Sequence, residues 1–315
     1  MGTERPATVV DLGGTKIAAA RVAGARVLER RQAPTPRDGR FESLVDAVAA
    51  LVAGWADGPV GIATTGLVRG GRLSATNPGT LPVPPDSPLV AALQDRLGVT
   101  VRAVNDAQAA AWGEFRHGAG RGVGSMVFLT VSTGVGGGLV LDGTLQVGAG
   151  GLAGHLGHAV AVPGGPLCGC GRRGCVEAVA SGRALAAAAT QAFGEPMEAP
   201  ALFRRTERDP AAAALVDRAA GAIARLLADL KAALDLDLAV IGGGVGLAAG
   251  FLGRVDRALA AEPPLFRIPL RPAALGHDAG LIGVADLGVR AAAGPRSVPR
   301  QMRPKGQTLG KTDSD

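Results

Sequence analysis

The chain has 315 residues, of which 47% are hydrophobic and 19% charged, a mixture typical of one or two globular domains. Its formal net charge is +6, but only 3% of its residues are aromatic and none is Tyr, so nucleic-acid binding by base stacking is disfavoured. The sequence shows neither an apolar run of membrane-spanning length nor a signal-peptide pattern, so we expect a cytoplasmic protein without a membrane partner.

The positive charge is concentrated at the C-terminal end. Residues 294–315 carry five basic and two acidic side chains and no apolar period, which is typical of a disordered, solubilising tail. An interaction arm would have the same composition. The remainder of the chain is nearly neutral, so its charge does not indicate a nucleic-acid partner.

Strand and helix patterns alternate in the first part of the chain. Period-two apolar runs predict strands and helical spacing predicts helices. The predicted strands are residues 7–12, 16–22, 27–32, 60–63 and 99–104. The predicted helices are residues 41–53, 88–97 and 106–115, the last with Asn105 or Asp106 at its N-cap.

A second strand block and a helical region follow. A buried strand over 126–131 is broken by the glycine run 133–138, and residues 139–141 and 144–147 form a hairpin around Asp142 and Gly143. Residues 148–174 are irregular and rich in glycine. Helices are predicted over 182–192, 210–234, 251–260 and 277–293, and a strand over 238–241 leads into Gly242–Gly244, which starts a helix. Two such strand blocks predict a two-lobed α/β protein with a cleft between the lobes.

Three glycine turns follow predicted strands. The first contains Asp11, Gly13, Gly14, Thr15 and Lys16. Its glycines bring backbone N–H groups close to a ligand, and its hydroxyl and cation suit a phosphate. The spacing is not that of a Walker loop, and a plain hairpin would give the same pattern. The other two turns contain Thr133 and Gly134, and Gly242, Gly243 and Gly244.

Asp106 follows Asn105 at the predicted end of a strand and the start of a helix. A carboxylate in this place can accept the proton of a hydroxyl group during phosphoryl transfer. The alternative is that Asp106 is only the N-cap of the helix.

The three cysteines of the chain, Cys168, Cys170 and Cys175, follow His158 closely. Four such ligands in a glycine-rich loop predict a closed, structural zinc site. A redox pair or buried free thiols are the alternatives. His155 is a further candidate ligand or a ligand-binding side chain, and Glu177 would be positioned by the same loop.

These motifs, in this order, closely resemble the ROK family (repressors, open reading frames, kinases) of bacterial sugar kinases. The most specific stretches are residues 150–158 and 168–178. The resemblance implies an actin-like, hexokinase-type ATPase fold, with a small lobe of residues 1–105 plus 279–293 and a large lobe of residues 106–278. It also implies a homodimer that binds ATP, Mg²⁺ and structural Zn²⁺ together with a small-molecule sugar.

The resemblance assigns roles to the residues of each motif. Asp11, Gly13, Gly14, Thr15 and Lys16 would face the nucleotide phosphates, together with Thr133 and Gly134, and Gly242, Gly243 and Gly244 would lie by the adenosine. Asp106 would be the catalytic base. The sugar hydroxyls would be held by Asn77, Asn105, His158 and Glu177, and zinc by His158, Cys168, Cys170 and Cys175.

One departure from the family pattern indicates the substrate. Most kinases of the family have Glu at the position of His155, whereas the bacterial group that acts on N-acetyl-D-mannosamine is associated with His. A carboxylate only accepts hydrogen bonds, but a neutral imidazole can donate one to an acetamido carbonyl. We therefore expect phosphorylation of the 6-hydroxyl of N-acetyl-D-mannosamine, an early step of sialic-acid catabolism.

Three alternatives belong to the same family resemblance. The first is a glucokinase, or a kinase of another hexose or N-acetylhexosamine, and the second is a sugar-binding regulator without catalytic activity. A repressor would need an N-terminal helix-turn-helix, for which the ten residues before Asp11 leave no room.

Overall fold

The computed structural model describes residues 5–76 and 79–292. The candidate sugar-binding residue Asn77 and the predicted tail over 294–315 lie outside these residues. The strands are β1 (Ala7–Leu12), β2 (Lys16–Ala23), β3 (Arg26–Pro34), β4 (Val60–Thr64), β5 (Leu67–Arg69), β6 (Arg72–Ser74), β7 (Val101–Asn105), β8 (Met126–Val131), β9 (Val135–Leu141), β10 (Thr144–Gln146), β11 (Leu238–Gly242) and β12 (Leu270–Pro272). The α-helices are α1 (Phe41–Leu51), α2 (Leu89–Leu97), α3 (Asp106–His117), α4 (Val176–Ala180), α5 (Gly182–Phe193), α6 (Ala199–Arg205), α7 (Pro210–Leu234), α8 (Phe251–Ala260) and α9 (Ala279–Ala292).

The first sheet has the strand order β3-β2-β1-β4-β7. Its neighbours β1, β4 and β7 are parallel, so their carboxyl ends meet at one edge of the sheet. That edge therefore gathers the turn after β1, the turn after β4 and the start of α3. One face of the sheet packs on α1 and α2, and the other packs on α9 and one side of α3.

The second sheet has the order β10-β9-β8-β11-β12, in which β8, β11 and β12 are parallel. The turns after β8 and β11 consequently lie at one edge, as in the first sheet. Helices α4 to α8 cover one face. The other face packs on α3 through Ala111 and Trp112, so that α3 is shared by the two sheets.

Helices α3 and α9 touch backbone to backbone where they cross. A Cβ atom on Gly283 would lie 1.8 Å from the carbonyl oxygen of Ala109, and one on Gly113 would lie 2.4 Å from that of Ala279. Neither position has room for a side chain, which is why both are glycine. The predicted lobe boundaries at 105/106 and 278/279 fall at the starts of these two helices, and the assignment of residues to each lobe stays a prediction.

The sequence predicted that the glycine run over 133–138 lies outside the strands of the second sheet, but most of it belongs to a strand. Strand β9 already begins at Val135. Within it, a Cβ on Gly138 would lie 2.5 Å from the Ala111 side chain. The glycines therefore allow α3 to pack directly on the strand.

The predicted helix over 251–260 is confirmed as α8, but the prediction that Gly242–Gly244 start a helix is wrong. Gly243 has a positive φ of 84° and its backbone packs on that of Val131, so the chain turns back over β8 first. Among residues 5–76 and 79–292, none of the helices combines the length and the apolar composition that a membrane crossing requires.

Candidate active site in the cleft between the two sheets

A cleft of about 470 Å³ lies where the strand-end turns of both sheets face each other. It brings together ten residues that the sequence predicted as site residues: Gly13, Gly14, Asn105, Asp106, Thr133, Gly134, His155, His158, Cys170 and Glu177. The parallel strands explain this meeting, because each delivers its following turn to the same sheet edge.

Asp106 lies at the first position of α3, directly after β7. The N-cap of this helix is Asn105, whose Oδ1 accepts hydrogen bonds from the backbone N–H groups of Ala107 at 3.0 Å and Gln108 at 3.2 Å. The alternative in which Asp106 is only the N-cap is therefore wrong, although its Oδ1 also accepts from the Ala107 N–H at 2.7 Å.

The Asp106 carboxyl is more basic than an ordinary aspartate. The pKa of this carboxyl is raised from 3.8 to about 6, chiefly by withdrawal from water; the hydrogen bond from the Ala107 N–H opposes the rise and the nearby charge of Asp11 adds to it. A carboxyl with this pKa is largely ionised at neutral pH and is a stronger base than one in water. It is therefore suited to take a proton from a hydroxyl group.

Asn105 has most of its hydrogen-bonding capacity engaged by the protein. Besides capping α3, it donates from Nδ2 to the carbonyl oxygen of Gly66 at 3.0 Å. One Nδ2 hydrogen remains for a ligand. Asn105 thus fixes the geometry around Asp106, and its contact with a sugar stays a prediction.

The turn after β1 is tightly packed against its surroundings. Gly13 accepts a hydrogen bond from Thr35 Oγ1 at 2.6 Å, and a Cβ on Gly14 would lie 2.2 Å from the carbonyl oxygen of Thr80. Both glycines line the cleft, whereas Thr15 and Lys16 are exposed at the tip of the turn. This backbone can approach a ligand closely, as a phosphate cradle requires.

Asp11 lies near the end of β1. Burial raises the pKa of its carboxyl, and the charges of Lys16 and Arg30 lower it. Asp11 and Asp106 are thus two acidic groups that share a desolvated region, an arrangement that favours a cation between or beside them.

The turn after β8 carries Ser132, Thr133 and Gly134, and it is coupled to Glu177. Glu177 Oε2 accepts a hydrogen bond from the Val135 N–H at 3.0 Å, and a Cβ on Gly134 would lie 2.6 Å from the same oxygen. The carboxylate is consequently fixed in position at the side of the cleft.

A second cavity of about 490 Å³ opens on the other side of this turn. Apolar groups of Pro200, Phe203, Val245 and Ala248 line it, a surface suited to a flat aromatic ring. Of the three glycines predicted to lie by the adenosine, only Gly244 lines this cavity. The other two glycines are packed against the protein interior: a Cβ on Gly242 would meet Ala273 and Phe128, and one on Gly243 would meet Val131.

The predicted metal ligands His158, Cys168, Cys170 and Cys175 converge. Their ligand atoms all lie within 4.8 Å of one another, with 3.7 Å between the Sγ atoms of Cys170 and Cys175 and 3.7 Å from Cys168 Sγ to His158 Nδ1. Sulfur ligands about 2.3 Å from a tetrahedral zinc ion would be about 3.8 Å apart. The cluster therefore fits zinc.

The two histidines of the loop face the cleft differently. His158 turns Nδ1 to the cysteines, which leaves its Nε2 for the cleft. Both ring nitrogens of His155 are buried without a hydrogen-bond partner among the described residues. The carbonyls of Leu152 and Gly66 lie near enough to favour the protonated ring, but neither meets hydrogen-bond geometry.

Burial lowers the pKa of His155, and the neighbouring His158 lowers it further. The imidazole is therefore neutral at physiological pH and offers one donor and one acceptor. Gln108 holds the loop in place, since its Nε2 donates to the carbonyl oxygens of Gly151 at 3.2 Å and Ala153 at 2.7 Å. His155 is thus a buried polar side chain that lines the cleft and has no hydrogen-bond partner among the described residues. This indicates that a ligand supplies its missing hydrogen bonds.

Several cleft residues were not predicted from the sequence: Thr65, Gly66, Thr76, Thr80, Ser132 and Arg183. Thr65 and Gly66 follow β4, so the same strand–hydroxyl–glycine pattern that marked the other turns could have found them. Arg183 carries no such signal, because it is distant in sequence from the turns it contacts.

The comparisons with known proteins agree with this geometry. The ROK family model matches residues 7–291. The chain is 49% identical to an N-acetylmannosamine kinase of Citrobacter koseri over 279 residues, which are 88% of this chain and 96% of that protein. The corresponding kinase of Escherichia fergusonii is 49% identical over 280 residues, with the same coverage of 88% and 96%.

Two solved structures support the fold. A ROK hexokinase from Thermus thermophilus is 38% identical with a TM-score of 0.82, over 91% of this chain and 99% of that one. A ROK glucokinase from Streptomyces griseus, in complex with glucose and AMPPNP, is 34% identical with a TM-score of 0.74, over 90% and 99%. The predicted two-lobed, actin-like ATPase fold is thereby confirmed.

Proposed function

The chain belongs to the ROK family, and from this premise we propose that it transfers the γ-phosphoryl group of ATP to the 6-hydroxyl of N-acetyl-D-mannosamine. The products are the sugar 6-phosphate and ADP, which makes the reaction an early step of sialic-acid catabolism. The observation that carries the proposal is the basic carboxyl of Asp106 between two glycine turns. The substrate rests on the 49% identity to enzymes named for it.

Asp106 acts as the general base in this reaction. It accepts the proton of the 6-hydroxyl while that oxygen forms a bond to the γ-phosphorus, and the bond from phosphorus to the ADP oxygen breaks. A positioned base of this kind contributes about 10²–10⁴-fold in rate. Asn105 keeps the carboxyl in line by capping α3.

The glycine turns after β1 and β8 hold the phosphates from opposite sides of the cleft, and the apolar cavity beyond Thr133 takes the adenosine. Asp11 would hold the water shell of a Mg²⁺ ion that accompanies ATP, and the two desolvated acids fit such a cation. Bound Mg²⁺ neutralises charge on the phosphates.

The sugar lies against the loop that carries the metal cluster. Glu177, His158, Asn105 and Asn77 bind its hydroxyls, and the neutral His155 donates to the acetamido carbonyl. The zinc ion on His158, Cys168, Cys170 and Cys175 is structural, because four protein ligands leave no open position. It would pin a loop that has few strands or helices of its own.

The product defines the test of this proposal. Purified protein is incubated with MgATP and N-acetyl-D-mannosamine, and the product is identified by phosphorus–proton correlation in NMR. We expect a monoester on O6. A phosphate on another oxygen would contradict the assignment of the 6-hydroxyl, and the absence of any sugar phosphate would contradict the kinase.

A second candidate is a glucokinase or a kinase of another hexose. It is favoured by the likeness to the Streptomyces griseus glucokinase, which was solved with glucose. We also expect a cytoplasmic homodimer, as the family resemblance implies, and no nucleic-acid partner. Size-exclusion chromatography with light scattering tests the dimer.

A further inference from the structure

Arg183 occupies the junction between the two cavities. It lines both the cleft that contains Asp106 and the apolar cavity beyond Thr133. Among the described residues that line either cavity, it is the one lysine or arginine. Ser132 and Thr133 also line both cavities, so a ligand that extends from one cavity into the other passes beside these three residues.

The backbone of Arg183 is fixed on the turn after β8. The Gly182 N–H donates to the Ser132 carbonyl oxygen at 2.7 Å, and the Arg183 N–H donates to that of Thr133 at 3.4 Å. The guanidinium group lies 4.0 Å from the place that a Cβ atom on Gly134 would occupy. The charge therefore lies beside this turn.

The ion pair that Arg183 makes with Glu177 is weak. Its Nη2 is 3.9 Å from Glu177 Oε1, which is too far for a hydrogen bond, and the side chain is 57% exposed. Exposed pairs of this kind contribute little to stability. Glu177 does not depend on the pair, because the Val135 N–H anchors its other oxygen at 3.0 Å.

We propose that Arg183 binds phosphate oxygens of the adenine nucleotide and gives up its ion pair with Glu177 to do so. This deepens the proposed function and rests on it. The planar guanidinium matches phosphate oxygens and presents paired donors. The nucleotide must span both cavities, with its adenosine in one and its reacting phosphate in the other, so its phosphate chain runs past Arg183.

Equilibrium binding of ADP and of adenosine, without sugar, tests the proposal on the full-length, zinc-loaded protein. We expect Arg183→Ala to weaken ADP binding about tenfold, as for one lost charge-assisted contact, and to leave adenosine binding unchanged. Arg183→Lys should recover part of the loss. Arg218→Ala is the matched control, because Arg218 lies on α7, shares a neighbouring surface pocket with Arg183 and lines neither of the two cavities.

Three results would overturn the inference. Equal weakening of ADP and adenosine would indicate a structural role, and ADP binding unchanged in Arg183→Ala would remove Arg183 from the nucleotide site. Should Arg183→Ala fold poorly, ADP binding to Arg183→Gln is measured at several salt concentrations. Its ADP affinity should fall less steeply with salt than that of the wild-type protein, because one phosphate contact is lost, and an equal slope would contradict the proposal. Failure of the wild-type protein to bind ADP would refute the proposed function as well. The wild-type measurement therefore distinguishes a failure of the proposed function from a failure of the Arg183 proposal alone.

Discussion

Replacing Asp106 by asparagine should abolish most of the activity and yet stabilise the protein. The change keeps the side-chain oxygen that accepts the Ala107 N–H at 2.7 Å and removes the charge. Folding raises the pKa of Asp106 from 3.8 to about 6, so the folded state binds this proton more tightly than the unfolded state.

The sign of the stability effect follows from that difference. Below about pH 4 the Asp106 carboxyl is protonated in both the folded and the unfolded state, so it does not lower the free energy of unfolding. As the pH rises from there, the unfolded chain ionises first and the free energy of unfolding falls, until the loss becomes constant above about pH 6. A rise of about two pKa units corresponds to up to about 3 kcal/mol near pH 8 and about half of that near pH 5.

Urea unfolding at the two pH values, with turnover measured on the same preparations, tests this reasoning. We expect Asp106→Asn to raise the free energy of unfolding by up to about 3 kcal/mol near pH 8, with a smaller gain near pH 5, and to lower kcat about 10²–10⁴-fold. Asp229→Asn, on the exposed side of α7, should change neither quantity. An equal effect at both pH values would refute the desolvation of Asp106, and turnover within about threefold of wild type would remove it as the base.

Three further substitutions have defined outcomes. Cys170→Ala removes one metal ligand, so zinc content and Tm should fall together, and unchanged zinc by elemental analysis would contradict the site. Gly283→Ala places a Cβ 1.8 Å from the Ala109 carbonyl oxygen and should cost about 3 kcal/mol in urea unfolding, whereas Gly288→Ala, with open space around it, should cost nothing. His155→Glu should shift the ratio of kcat/KM toward glucose and away from N-acetyl-D-mannosamine, and an unchanged ratio would show that His155 does not contact the acetamido group.

Local signals explain which parts of the fold could be predicted. Helix α7 has its predicted bounds because Asp209 caps it, Pro210 stands at its first position and an apolar period runs through it. The hairpin of β9 and β10 was found from Asp142 and Gly143, which have the positive φ values of a tight turn. The metal cluster is likewise local, with all of its ligands between residues 158 and 175.

The remainder depends on contacts between distant segments. Strands β5, β6 and β12 have three residues each, too few for a period to show. Gly136–Gly138 belong to a strand because α3 packs on them, and Gly243 belongs to a turn because of Val131. Arg183 lines the apolar cavity beyond Thr133 because α5 docks on the turn after β8, which no pattern in the sequence reveals.

The substrate is tested most directly by ADP release with MgATP and a panel of N-acetylmannosamine, N-acetylglucosamine, glucose, mannose and fructose. We predict that kcat/KM for N-acetylmannosamine exceeds that for each other sugar at least about tenfold. One polar contact in a buried site that only the correct sugar satisfies accounts for a factor of this size. A preference for glucose would contradict the substrate assignment, and no turnover with any sugar, in protein shown to hold zinc, would contradict the kinase itself.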